Sequence, residues 1–174
     1  MKRTLILALI TSLMLSCWAI AAEQLDQQQH ASCNYCGMNR VKFAHSRMLI
    51  DYDNGSSVGT CSLHCAAVEF ALSIDKTPKT IKVGDLNNKQ LIDAEQAFWV
   101  IGGDNQGVMT SRAKWAFSDK TAAEQFVASS GGAMVGFDQA MKAAYEDMYT
   151  DTMMIRNKRK MKKMKMQQHG MDKK

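Results

Sequence analysis

Residues 62–73, SLHCAAVEFALS, and residues 118–129, SDKTAAEQFVAS, share Ser, Ala, Ala, Phe and Ser at a constant offset of 56 positions. In the first stretch Leu63, Ala66, Ala67, Phe70 and Ile74 recur at three- and four-residue spacing, which predicts an amphipathic helix with Ser62 as its N-cap. The second predicts a helix from Asp119 to Ser129, stopped by Gly131-Gly132. Outward from each helix the flanks also correspond. Before the first, SRMLIDY and SSVGT enclose the turn tripeptide Asp53-Asn54-Gly55, and TIKVGD follows beyond Pro78. Before the second lie AFWVIGG, a glycine-containing loop and AKWAF, and AMVGF follows. Alanine-rich helices align by chance, so the shared strand, strand, helix, strand order carries more weight than the letters. The predicted class is α+β: two similar ββαβ units packed together, at about 33–85 and about 90–137. A C-terminal helix is expected over 137–152, with Ala140, Met141, Ala144, Tyr145 and Met148 on one face.

The two ends differ from this middle. Residues 1–22 read as an export signal, with Lys2 and Arg3 ahead of an apolar run from Leu5 to Leu15. Two cleavage readings stay open: an A-x-A site at Ala19-Ile20-Ala21, or a lipobox over Met14-Leu15-Ser16-Cys17 that would place a lipid on Cys17. Either puts the protein in the periplasm or on the outer face of a membrane. At the other end, residues 156–174 hold nine Lys or Arg against one Asp, a local +8, so residues 23–155 carry a net −5. A nucleic-acid partner is therefore not expected from the overall charge. The Lys- and Met-rich tail is too charged to bury itself and is expected to be disordered. Residues 23–155 form the expected folded domain.

The cysteines beyond the signal come as Cys33-x-x-Cys36 and Cys61-x-x-x-Cys65, the second pair bracketing His64. At the 56-residue offset Cys61 aligns with Phe117, Cys65 with Thr121 and Met38 with Ala94. The second unit is thus expected to fold without thiols, which marks those of the first as chemical. One thiol pair on a turn and another at a strand-to-helix junction can converge on a single ion. Two structural disulfides or a redox dithiol are the rival readings for an oxidising compartment. Thiolate with thioether selects copper(I), whereas four thiolates alone suit zinc equally. Met38, behind flexible Gly37, and Met109, in the polar loop GGDNQGVMTS, are the expected thioether ligands, with Met48 a further one; His64 is the weakest member of the set. Met134, Met141 and Met148 fall at core spacing. No nucleophile, base and orienter set is recognisable, so an enzyme is not expected.

CNYCGM, the hairpin HSRMLIDYDNGSSVGTCSLHC, LIDAEQAFWVIGG, GVMTSRAKWAFSDKTAAEQF and the late AAYEDM, taken in order from Cys33 to Met148, resemble the NosL family of nitrous oxide reductase accessory proteins. The resemblance implies a periplasmic copper(I)-binding protein, commonly a lipoprotein, with a paired ββαβ fold. It implies a copper-accepting client such as nitrous oxide reductase, and Cys36, Met38 and Met109 as copper ligands. The Cys61 and Cys65 pair departs from simpler members and resembles instead the knuckles of small metal-sensing modules. That leaves a closed four-cysteine zinc site, serving contact with a partner protein, as the alternative.

Overall fold

Alternation in MLIDY sets the first strand. In the computed structural model, which describes residues 25–171, Met48, Ile50 and Tyr52 of β1 (Met48–Tyr52) face inward, between partly exposed neighbours. Gly55, at φ +82°, lets the chain reverse, and Asn54 Oδ1 accepts from the Ser56 amide at 2.9 Å, so β2 (Ser57–Thr60) pairs antiparallel with β1. Helix α1 (Leu63–Leu72) follows, then β3 (Pro78–Gly84) and β4 (Leu91–Asp93), giving the sheet order β2-β1-β3-β4. The second unit is β5 (Phe98–Ile101), β6 (Lys114–Phe117), α2 (Lys120–Ser130) and β7 (Ala133–Val135), in the order β6-β5-β7. In each unit the first strand is central and pairs antiparallel with the strand after it and with the strand after the helix. The repeat seen in the letters is therefore a repeat of topology. The signal readings at 1–22, including Cys17, lie outside the described residues.

Three expectations need correcting. Ser62 occupies the N-cap position of α1 but makes no capping hydrogen bond, whereas Asp119 caps α2 by accepting from the Ala122 amide at 2.8 Å. Ile74 lies beyond the end of α1 and is 86% exposed. Finally, the C-terminal helix α3 (Phe137–Met171) does not stop at Thr152 to leave a disordered tail. Lys, Arg, Met and Gln are good helix formers, Gly170 is the first helix breaker in the tail, and extending a docked helix needs no new nucleation. Low apolar content does have its expected effect on burial, since Met161, Met164 and Met166 are exposed.

Two apolar clusters share the second sheet. Trp99 and Ala116 join Met48, Ile50, Leu63, Ala66, Val83 and the α3 residues Ala140 and Ala144 in one cluster. Val100, Trp115 and Phe117, on the opposite face, join Ala123 of α2 together with Cys33, Cys61 and Cys65 in the other. The thiols of unit one are thus packed against the sheet of unit two.

Asp85 joins the units. Its Oδ1 accepts from the amides of Asn87 and Asn88 at 2.8 and 3.0 Å, and its Oδ2 from the amide and hydroxyl of Ser118 at 2.7 and 2.8 Å. Burial works to raise this carboxyl, but the hydrogen bonds from Asn88, Ser118 and Asn87 prevail and hold it below its ordinary value. A depressed folded-state value contributes stability above about pH 4 that is lost as pH falls through it. Asp85→Asn is expected to lower stability at pH 7 by about 1–3 kcal/mol. It should also show a smaller further loss between pH 4 and pH 2 than the parent. Denaturant titrations at both ends of that range check this; parallel losses in the two proteins would refute it.

Candidate metal centre

The segment Cys33–Met38 closes on itself. Cys33 N donates to Met38 O at 2.8 Å and Gly37 N to Cys33 O at 3.0 Å, and Gly37 sits at φ +74°, where an L side chain is strained. Tyr35, between the two thiols, donates its hydroxyl to Glu69 of α1, whose other oxygen accepts from Tyr52 Oη at 2.7 Å. Buried Glu69 therefore ties the knuckle to both α1 and β1. Cys61 follows β2, and Cys65 lies four residues on in the first turn of α1. The positive end of that helix has no side-chain cap.

The four Sγ atoms all lie within 4.8 Å of one another, and the thiols are free. Cys36 Sγ is 3.4 Å from Cys61 Sγ, which is 3.8 Å from Cys65 Sγ. A tetrahedron of sulfurs about 2.3 Å from a central ion has edges of about 3.8 Å, so this donor set fits a soft ion with little movement. Its electrostatics fit as well. Hydrogen bonds from Cys36, Cys61 and Cys65 hold the Cys33 thiol well below the ordinary range. Cys36 is raised by its hydrogen bond to Cys33 but brought down to about 7 overall by those with Cys61 and Cys65. Cys61 and Cys65 are pushed up, chiefly because each donates to Cys33 and Cys36 and would be one more anion in the same space. A cation at the centre removes that conflict.

Cys33, Cys61 and Cys65 are buried; Cys36 is half-buried and opens onto a cleft of about 570 Å³, which Met38 and Met109 also line. Met109 has φ +63°, an uncommon conformation for a non-glycine residue that costs on the order of 1 kcal/mol. Its loop is held by α3: the Ser111 amide donates to Asp151 Oδ1 at 2.9 Å, and Arg112 and Lys114 pair with Asp147 at 2.8 and 2.6 Å.

The structure thus brings Cys33, Cys36, Cys61 and Cys65 together and sets Met38 and Met109 at their open side. His64 has its Nδ1 3.6 Å from Asp151 Oδ2, beyond hydrogen-bond distance, and burial lowers its pKa, opposed by Asp151. Met48, a further thioether in the sequence reading, is fully buried in the other apolar cluster and is a core residue. Sequence reasoning missed Glu69 and Asp151. Each is one carboxylate on a helix, and neither has a local pattern that signals its distant partners.

Taken together, these features define a duplicated ββαβ protein with a candidate soft-metal centre in its first unit. The chain belongs to the NosL family, whose profile matches residues 24–145. Among solved structures it is similar to the crystal structure of the copper chaperone NosL from Shewanella denitrificans, at 24% identity and a TM-score of 0.49, covering 62% of this chain and 87% of that one. No curated protein matches the chain. The family match ends within α3, so residues 146–171 of that helix lie beyond it.

Proposed function

We propose that this protein is an exported copper(I) carrier that holds the ion through Cys33, Cys36, Cys61 and Cys65, with Met38 and Met109 on the open side, and passes it to a client. The observation that carries this reading is the four-sulfur cluster with one half-exposed member beside two thioethers. Three buried thiols retain the ion, and Cys36 is where an incoming ligand enters and exchange begins. His64 is the weakest member of the proposed set, since its buried Nδ1 faces Asp151 Oδ2 at 3.6 Å, beyond hydrogen-bond distance. The client we infer, following family membership, is a periplasmic copper enzyme such as nitrous oxide reductase, met from a soluble position or from a lipid anchor at Cys17. In this reading the ion is cargo.

Anaerobic titration of the chain lacking residues 1–22 should show about one copper(I) bound per chain, on the softness of the donor set. The double replacement Cys36→Ser with Met38→Leu should weaken binding sharply, and unchanged affinity in that variant would sink the assignment. A second reading has its own support, because four sulfurs within 4.8 Å of one another and three buried thiols also suit a closed, structural zinc site. Metal analysis of protein taken from the periplasm separates the two: zinc that does not yield to copper(I) favours the structural site.

A further inference from the structure

Helix α3 keeps one inward face far beyond the family match. Ala140 and Ala144 are buried in the core, Asp147 pairs with Lys114, and Asp151 is fully buried with its Oδ1 on the Ser111 amide. Three, four and seven residues further along the same face come Met154, Ile155 and Lys158. All three line the cleft at Cys36, with Met38 and Met109. Arg159 Nη2 reaches the Cys36 carbonyl oxygen at 3.4 Å, which places the extension beside the knuckle. Of the methionines from 153 to 166, Met154 is half-buried in the cleft, whereas Met153, Met161, Met164 and Met166 are exposed.

The geometry points to Met154 as a further copper(I) ligand of this chain, supplied by the part of α3 that lies outside the family match. This rests on the copper-carrier reading above. Three thioethers from separate elements, Met38 from the knuckle, Met109 from the β5–β6 loop and Met154 from α3, line the cleft onto which the half-exposed thiol opens. A cleft of about 570 Å³ is much larger than one ion, so the thioethers must swing inward to share it. Methionine's three rotatable bonds and polarisable sulfur suit that movement. Asp151 sets the register: its bonds to Ser111, two residues from Met109, tie α3 to that loop, and its Oδ2 faces His64, next to Cys65, at 3.6 Å. Binding of copper(I) would then couple the basic extension to the site, because the ion would join α3 to the knuckle. A client taking copper from Cys36 would have to displace Met154.

The test uses the chain lacking residues 1–22 and copper(I) alone. Met154→Leu preserves volume and helix propensity, so the fold is kept. It should weaken copper(I) binding by about tenfold to a hundredfold. Copper(I) should also slow tryptic cleavage at Lys158 and Arg159 in the parent and not in the variant. Met153→Leu, the exposed neighbour, should behave as the parent in both assays. If Met154→Leu matches the parent in both while Cys36→Ser loses copper(I), the carrier function stands and this inference falls. If the parent itself takes up no copper(I), both fall.

Discussion

Replacing Cys61 by serine is expected to lower metal affinity by a factor on the order of 10²–10³. The site resembles in donor set those where four ligands together supply roughly 10–16 kcal/mol of apparent binding free energy, so one thiolate is worth roughly 3–4 kcal/mol, or two to three decades. Cys61 is the sharpest choice because it is fully buried and within hydrogen-bonding distance of both Cys36 and Cys65. A serine hydroxyl there is shorter, harder and far less acidic, and it leaves a small void against Phe117 and Val100 in the same cluster. Cys36→Ser should produce a comparable loss of affinity and a larger change in transfer rate, since Cys36 is the half-exposed thiol. Chelator competition and stopped-flow exchange measure the two quantities. Retention of parental affinity in Cys61→Ser would show that the buried thiols serve packing alone.

The largest effect on stability is expected at Asp26. Its carboxylate lies between two fully buried guanidinium groups: Oδ2 accepts from Arg40 Nη2 at 2.8 Å and from Arg47 Nε at 3.0 Å, and Oδ1 from Arg47 Nη2 at 3.2 Å. Arg40 also donates to the carbonyls of Asp26, His30, Met48 and Thr60. Burial lowers the Arg40 pKa, and the charge of Asp26 is the main opposing influence. Removing the carboxylate leaves two like charges buried without an anion, so Asp26→Ala should cost about 3–5 kcal/mol. The Thr60 carbonyl held by Arg40 immediately precedes Cys61, so metal affinity should fall with stability. Urea denaturation measures the first effect; a loss below about 1 kcal/mol would mean that water reaches the guanidinium groups and solvates them.

Asp26 also marks where sequence reading stops. It sits in EQLDQQQHAS, a stretch with no hydrophobic period, and its partners are 14 and 21 residues away. Nothing local distinguishes it from a solvated carboxylate. The elements that were legible are those whose signal is periodic or local: alternation in MLIDY, helical spacing after Cys61, the Asn54-Gly55 turn and the duplicated order. The cysteine quartet was legible for the same reason, since each pair is close in sequence and the repeat removes a purely structural need for it. That the quartet lies against the second sheet was not legible, because it depends on how two units of similar pattern pack. Nor was the course of α3 over the site. Composition correctly indicated that residues 156–169 bury little, but helix continuity depends on propensity and docking rather than on burial. Once the helix is seen to continue past Thr152, Met154 falls on the face that lines the cleft at Cys36.

X-ray absorption at the copper edge, on the chain lacking residues 1–22 and loaded anaerobically with one equivalent of copper(I), tests the central claim most directly. A shell dominated by sulfur scatterers is predicted, disrupted in the Cys36→Ser, Cys61→Ser double variant. A nitrogen- or oxygen-dominated shell, or a sulfur shell unchanged in that double variant, would contradict it.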